Sequence, residues 1–427
     1  MASRLVTVST TRTKASLSAQ AARPVAIRHS PSFPDCTLEP QELKAWLRLA
    51  LTAGVGNETA RKLLAAFASP EGIFEQSHAV LKQLGNDKLA SAVQAKPDKL
   101  DDQLQITLDW LAGGADRQIA VLGDSAYPAS LLNTEDPPLM LYMLGAQSAR
   151  SSSATKNIAN CFENCMAIVG SRNPTPQGEV NARQFAKAFS EAGLCVVSGL
   201  ALGVDGAAHE GALLGASPDR CATIAVVGTG LDRVYPKKHL QLAHQIAEHG
   251  LIISEFPLGT PPLTANFPKR NRIISGLSQG VLVVEAALKS GSLITARLAA
   301  EQGREVFAIP GSIHSPQSRG CHALIKQGAK LVETANDVLE ELRIYSPVKP
   351  DAQSADSDSP GLESDGDGAD AGDELIAALG FEISSLDALQ ARTGLATPVL
   401  QARLLELELD GLVARLPGGL FQRIVRA

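Results

Sequence analysis

Short apolar runs alternate with helical patterns between Met166 and Val332, and this alternation constrains the fold more than any other feature. Seven runs are predicted strands: 167–169, 194–197, 223–227, 251–253, 281–284, 305–309 and 330–332. Predicted helices separate most of them: 177–192, 204–214, 237–249, 292–303 and 319–327. The sequence therefore predicts an α/β core, residues 161–345, with a mostly parallel sheet that binds ligands at the carboxyl ends of its strands.

Two smaller regions flank this core. Residues 37–145 are predicted to be mostly helical, and two helices around Thr52–Asn57 resemble a helix-hairpin-helix motif, whose amides face a DNA phosphate. The alternative is a tight interhelical turn that needs glycine. Residues 373–427 predict three helices and a hairpin turning at 417–419, which fits a winged helix. Residues 375–427 hold five Arg and five acids, so DNA binding and protein contact both stay open for this region.

Three segments lack any periodic pattern. Residues 1–36 are rich in Ser, Thr, Ala and Arg and predict a disordered extension, with an organellar transit peptide as the alternative. Residues 146–160 predict a Ser-rich linker, and residues 346–372 predict a disordered acidic linker. Residues 346–374 carry one Lys and nine acids, so the chain's net charge of −6 becomes +2 without them. The acidic linker also suggests a mimic of nucleic acid that competes for a basic groove.

Composition and motifs exclude several classes of function. No stretch has 18 uninterrupted apolar residues, so no membrane span is predicted. Cys195 and Cys221 adjoin predicted strands and indicate buried thiols in a reducing, cytoplasmic compartment. Ligand spacing for zinc, a G-x-S-x-G nucleophile turn and a P-loop are all absent from the sequence. We therefore expect no metal, no cofactor and no catalytic residue.

Small residues follow the predicted strands at their carboxyl ends. The first strand ends in Gly170-Ser171-Arg172, the second in 198–203, the third in 228–230 and the sixth in 310–312. Because these turns belong to one edge of one sheet, they predict an amide-lined groove for phosphates.

The stretch from Phe267 to Thr295 carries the strongest chemical signal. Lys269, Arg270 and Arg272 surround Asn271 and precede the strand 281–284. That strand leaves through Lys289-Ser290-Gly291-Ser292 into a helix, which predicts free N–H groups at a positive dipole end. A basic cluster beside an anion site indicates a polymer of phosphates, whereas the alternative is a solvated loop with surface ion pairs.

Four acids near the strand ends have two interpretations. Asp205, Asp232, Glu255 and Glu285 are candidates for paired acid–base carboxylates. The interpretation that we favour is that they cap helices and bind Arg side chains. His209 is expected to be an inward-facing structural histidine.

With these residues assembled, the chain resembles the DNA-processing protein A family (DprA, also called Smf). The matching motifs are AIVGSR at 167–172, SGLALGVDGAAHEGAL at 198–213, GTGLDRVYP at 228–236, SEFPLGTPPLTANFPKRNRIISGLS at 254–278, VLVVEAALKSGSLITARLAAEQGREVFAIPGS at 281–312 and SRGCHALIKQGA at 318–329. The resemblance implies an extended Rossmann-like fold. It also implies a homodimer that binds single-stranded DNA, protects incoming DNA and loads the RecA recombinase during natural transformation.

Family roles implied by the resemblance are assigned residue by residue. The DNA-binding residues are expected to be Gly170, Ser171, Arg172, Phe267, Lys269, Arg270, Asn271, Arg272, Gly291, Ser292 and Thr295. The cations are phosphate contacts and Phe267 offers a stacking face. Many relatives carry a basic residue where this chain has Leu202, which removes one expected contact.

Two other classes remain as alternatives. A nucleotide phosphoribohydrolase on the same fold would carry a PGGxGTxxE turn, but residues 289–297 lack its second Gly and its Glu. A winged-helix transcription regulator would bind duplex DNA through residues 375–427 alone.

Overall fold

The computed structural model describes residues 38–145, 158–218, 220–344, 371–381 and 383–424. The predicted extension 1–36 and most of both predicted linkers lie outside the described residues. Six helices open the described chain: α1 (Pro40–Leu51), α2 (Asn57–Phe67), α3 (Pro70–Phe74), α4 (His78–Leu84), α5 (Asp87–Gln94) and α6 (Leu100–Ala112). Their apolar faces share one core, in which Leu43, Leu47 and Leu81 are fully buried.

The turn between α1 and α2 has the glycine geometry that its sequence predicts. Gly54 adopts a φ of +82°, in the left-handed region that favours glycine, and Gly56 directly precedes α2. The second turn, between α4 and α5, is capped by Asn86, whose side chain accepts a bond from the Leu89 N–H at 2.9 Å. This geometry suits a helix-hairpin-helix motif and a plain interhelical turn equally.

A nine-stranded sheet forms the centre of the molecule. Its strands are β1 (Arg117–Val121), β2 (Met140–Leu144), β3 (Cys165–Val169), β4 (Cys195–Ser198), β5 (Thr223–Val226), β6 (Leu251–Ser254), β7 (Gly280–Val283), β8 (Glu305–Ala308) and β9 (Lys330–Leu331). Their spatial order is β1-β2-β6-β5-β4-β3-β7-β8-β9. All neighbours from β6 to β9 pair in parallel, which confirms the predicted α/β class. The carboxyl ends of seven strands consequently meet at one edge.

The segment 37–145 is less purely helical than its sequence predicts. It contributes β1 and β2, which pair antiparallel, and β2 joins the parallel strands through β6. Both strands are largely buried, with Tyr142 only 1% exposed. β2 consists of Met, Leu and Tyr without a β-branched residue, so its composition does not distinguish it from the helices that precede it.

Helices cover both faces of the sheet: α7 (Ala129–Leu132), α8 (Pro176–Glu191), α9 (Val204–Leu214), α10 (Leu240–His249), α11 (Asn266–Leu277), α12 (Ser292–Glu301), α13 (Arg319–Lys326) and α14 (Ala335–Glu341). Thr175 caps α8 by accepting a bond from the Gly178 N–H at 3.1 Å, and Pro176 occupies its first turn. The basic stretch 269–272 lies on α11, which the strand–helix pattern did not predict.

Alternate residues of the central strands face opposite cores. Val281 and Val283 of β7 pack in the core that contains Ile273 of α11, whereas Leu282 packs on the other side with Phe185 of α8. Because both faces of β7 are buried, its sequence is continuously apolar. The basic helix α11 is therefore held against the sheet by its own apolar face.

The C-terminal region is a winged helix, as its sequence predicts. Its elements are α15 (Ala371–Leu379), β10 (Ser384–Ser385), α16 (Leu386–Thr393), α17 (Thr397–Leu409), β11 (Val413–Leu416) and β12 (Leu420–Arg423). The hairpin β11–β12 turns through Gly418 and Gly419, whose φ values are +88° and +71°. Residue 384, predicted to begin a helix, instead lies in β10, and Ser385 caps α16. In the described ranges no helix is long and apolar enough to cross a membrane.

Candidate nucleic-acid interface

An open cavity of about 720 Å³ lies at the carboxyl edge of the sheet. Nine of the eleven predicted DNA-binding residues line it: Gly170, Ser171, Arg172, Phe267, Arg270, Asn271, Gly291, Ser292 and Thr295. The two that do not are Lys269 and Arg272. The structure thus brings together residues that are separated by more than 120 positions in the sequence.

The loop after β3 presents Arg172 to this cavity. Close contact with α9 fixes the loop, since the Val204 N–H donates to the Ser171 carbonyl at 3.1 Å. A Cβ on Gly170 would lie 2.6 Å from the Val204 side chain, so the close approach requires glycine. Arg172 is exposed, and no carboxylate among the described residues pairs with it. Its cationic head is therefore available to a phosphate.

Arg270 is a buried cation in the cavity wall. It is 5% exposed, and its nearest carboxylate oxygen, on Asp205, lies 3.8 Å from its Nη2. Its Nε has no hydrogen-bond partner, and a Cβ on Gly199 would stand 1.5 Å from its Nη1. Burial lowers the pKa of Arg270, against the opposing effect of Asp205. The wall thus holds a positive charge with only one loose counter-charge.

Arg272 has a different environment from the one expected of it. It donates to both carboxylate oxygens of Glu255, at 2.8 and 2.5 Å, and to Asp136 at 2.8 Å. Burial alone would lower the pKa of Arg272, but the two carboxylates outweigh it and the pKa is raised. These donors face carboxylates outside the cavity. The structure therefore does not support the expected contact between Arg272 and a phosphate in the cavity. Lys269 is exposed but also outside the cavity lining.

The start of α12 closes the opposite side of the cavity. Ser292 is buried and its Oγ donates to the Gly170 carbonyl at 2.7 Å, which ties α12 to the loop after β3. The predicted free N–H groups are in fact used locally, because Leu293 N bonds Ser290 O and Ile294 N bonds Gly291 O. The helix dipole still places positive potential there. Lys289, exposed and part of the lining, adds a cation that the expected DNA-binding set omitted.

Two aromatic rings lie in the same cavity. The ring centroids of Tyr235 and Phe267 are 5.8 Å apart, and the Arg172 guanidinium carbon lies 5.4 Å from the Phe267 centroid. Tyr235 is 46% exposed, so part of its ring is accessible from solvent. Sequence analysis omitted Tyr235 from the site, although it follows the Gly-rich turn after β5 in the sequence.

Structural partners account for each of the four acids. Asp205 faces Arg270, Glu255 binds Arg272, and Asp232 accepts from the Gly259 N–H at 2.8 Å and from Arg233. Glu285 accepts from the Thr175 N–H at 2.9 Å and from its hydroxyl at 2.6 Å. Asp205, Asp232 and Glu255 thus pair with arginines, as interpreted, whereas Glu285 binds Thr175, the residue that caps α8, and none of the four caps a described helix itself.

His209 is an inward-facing structural residue, as expected. It is fully buried, and its Nδ1 lies 2.7 Å from the Thr223 hydroxyl. Burial, with smaller effects from His239 and Arg270, lowers the pKa of His209 to about 3. It is therefore neutral near pH 7. Within the described ranges, no group of three or more His, Cys, Asp or Glu residues is arranged to hold a metal ion.

Together, the fold and the cavity define a Rossmann-like α/β protein with an open groove lined by cations and small residues, and with an appended winged helix. Residues 118–343 match the family model of DNA recombination-mediator protein A, and residues 350–419 match that of the DprA winged helix domain. The chain belongs to the DprA/Smf family.

Individual relatives agree with this assignment. The chain is 40% identical over 392 residues to Protein Smf of Escherichia coli K12, covering 90% of this chain and 97% of the relative. It is 42% identical over 221 residues to DNA processing protein DprA of Bacillus subtilis, covering 52% and 70%. The X-ray structure of DprA from Streptococcus pneumoniae matches with a TM-score of 0.57 at 35% identity, covering 71% of this chain and 98% of that one.

Proposed function

We propose that this protein binds single-stranded DNA in the cavity at the carboxyl edge of its sheet. The observation that carries the proposal is the arrangement of cations and aromatic rings around one opening: Arg172, Arg270 and Lys289 with Tyr235 and Phe267. Cations that follow a phosphate backbone, combined with rings on which bases stack, are typical of sequence-tolerant single-strand sites. Membership of a family of DNA recombination mediators supports the same function.

We further propose that the protein acts in the cytoplasm, protects incoming DNA and loads RecA during natural transformation. Family membership supports this role. A mediator needs a single strand to be held without chemical change, and the acids beside the cavity are engaged with structural partners. We accordingly propose a binding protein and not an enzyme.

Homodimer formation is also part of the proposal. The edge strand β9 leaves Lys330 and Leu331 exposed, with Leu331 at 50%. Because β9 ends the described sheet, its outer side is open to a strand of a second copy. Sedimentation measures the mass of the unmodified chain and of Leu331→Glu. If both have the mass of a monomer, a dimer through β9 is excluded.

The test of DNA binding compares a labelled single-stranded oligonucleotide with the same sequence as duplex, over a salt series. We expect a preference for the single strand and an affinity that falls steeply with salt. Arg172→Ala removes an exposed cavity cation, whereas Arg183→Ala removes an exposed cation that pairs with Glu210 outside the cavity. Equal affinity of both variants would place the DNA elsewhere.

The same samples address the enzymatic alternative. Incubation with nucleoside monophosphates should release no free base. Release of base that depends on Arg172 or Arg270 would replace the binding proposal with nucleotide hydrolysis.

A further inference from the structure

Four cysteines gather at the end of the sheet opposite the cavity. Cys165 begins β3, Cys195 begins β4, and Cys221 lies two residues before β5. Cys161 belongs to a short 3₁₀ helix that precedes β3. Because β3, β4 and β5 are adjacent and parallel, their amino ends bring these residues together. None of the four lines the DNA-binding cavity.

Two of the four sulfur atoms are in van der Waals contact. The Sγ atoms of Cys195 and Cys221 are 3.7 Å apart. In this contact Cys195 is the donor to Cys221, while Cys165 donates to the Cys161 carbonyl at 3.2 Å. Cys195 is 5% exposed, but Cys221 is only partly buried. Cys221 is therefore the more exposed residue of the pair.

This geometry differs from ordinary burial of a thiol, which the same chain also contains. Cys321 is buried with its sulfur against the carbonyl groups of Val283 and Val284, and among the described residues no other cysteine sulfur is within hydrogen-bond distance of it. A buried cysteine of that kind behaves as a small apolar side chain. At Cys221, the hydrogen bonds from Cys161 and Cys195 lower the pKa of its thiol, which favours the nucleophilic thiolate.

We propose that Cys195 and Cys221 form a reversible disulfide when the protein meets a hydroperoxide. With hydrogen peroxide as the oxidant, the Cys221 thiolate attacks one of its oxygens. The O–O bond breaks, hydroxide leaves, and Cys221 becomes a sulfenic acid. The Cys195 sulfur then attacks the Cys221 sulfur, and its proton and the sulfenic hydroxyl depart as water. Two thiols thereby lose two electrons and two protons, and hydrogen peroxide is reduced to two waters. Closing the bond requires the sulfurs to approach to about 2.05 Å.

The disulfide would connect neighbouring strands without touching the cavity. It closes the loop 195–221, which contains β4, α9 and Gly199, the glycine against which the Arg270 guanidinium packs. A cross-link stabilises the folded state because it lowers the conformational entropy of the unfolded chain. The oxidised protein should therefore unfold at a higher temperature and retain its single-strand affinity. The disulfide itself does not depend on the proposed DNA binding.

The experiment treats the full chain with hydrogen peroxide, blocks the remaining thiols and maps peptides without reduction. We expect the number of free thiols to fall by two of six, with one link between Cys195 and Cys221 that a dithiol reverses. Peroxide treatment of Cys221→Ser should consume no thiols. The same treatment of the matched control Cys321→Ser should consume two, those of Cys195 and Cys221.

Mapping of the unmodified chain decides the result even if a variant folds poorly. Three results would each overturn the proposal. They are a disulfide between other cysteines, oxidation of the Cys321 thiol as fast as that of Cys195 and Cys221, and six free thiols after treatment.

Discussion

Replacement of Arg272 should affect stability and leave DNA affinity nearly unchanged. Its side chain is 13% exposed and that of Glu255 is 12% exposed, so Arg272→Met leaves a buried carboxylate without its cation. Breaking such a pair costs about 3 kcal/mol or more of unfolding free energy. For a core of this size, that corresponds to roughly 6–12 °C in the melting temperature.

The assay measures thermal unfolding and single-strand affinity on the same samples. Arg233→Ala is a suitable control, because Arg233 forms a more exposed ion pair with Asp232 and its loss should cost about 1 kcal/mol or less. The double variant Arg272→Met with Glu255→Met should recover part of the lost stability, since the unpaired charge is gone.

One result would refute this reasoning. If Arg272→Met melts like the unmodified protein but loses affinity as strongly as Arg172→Ala, then Arg272 contacts phosphate directly. Its pairing with Glu255 would in that case be exchanged for DNA on binding.

Four further expectations follow from the cavity and the domain arrangement. Arg172→Ala should weaken single-strand binding and reduce the slope of log K against log salt by about 0.7, measured by titration at several salt concentrations; an unchanged slope would contradict a phosphate contact. Gly199→Ala should displace Arg270 and destabilise the fold by about 1–3 kcal/mol in denaturant unfolding, whereas wild-type stability would show that Arg270 moves freely. Tyr235→Ala should lose about 1–3 kcal/mol of the free energy of single-strand binding, whereas Tyr235→Phe should bind like the unmodified protein. Equal affinities of Tyr235→Ala and the unmodified protein would exclude stacking on this ring. Deletion of 346–427 should leave single-strand affinity intact, and its complete loss would make the winged helix the main DNA contact.

Strand–helix alternation was sufficient to predict the parallel core. The seven predicted strands occur within a few residues of their expected positions, because most of them combine apolar β-branched residues with an adjacent Gly or Ser. The antiparallel pair β1–β2 was missed, since it follows six helices and β2, MLYML, contains no β-branched residue. Helix α11 was missed because a dense group of cations obscured its apolar face.

The candidate site was predicted only in part. Turn residues such as Gly170 and Ser292 could be located because the ends of parallel strands share an edge. Arg270 and Arg272 were indistinguishable in sequence, although they lie two residues apart. On a helix this separation is about 200° of rotation, so one guanidinium enters the cavity wall and the other turns toward Glu255 and Asp136.

The pairing of β2 with β6 has a consequence for how the chain can be divided. The sequence favours a break near residue 150, in the predicted linker 146–160. Such a break would remove the neighbour of β6 and expose the N–H and C=O groups of β6 along 252–254. It would also leave Arg272 without Asp136. A fragment that begins after that break would carry an open, apolar sheet edge prone to self-association. The N-terminal segment thus covers one lateral edge of the core, and a fragment that keeps β6 paired on this side must include β2.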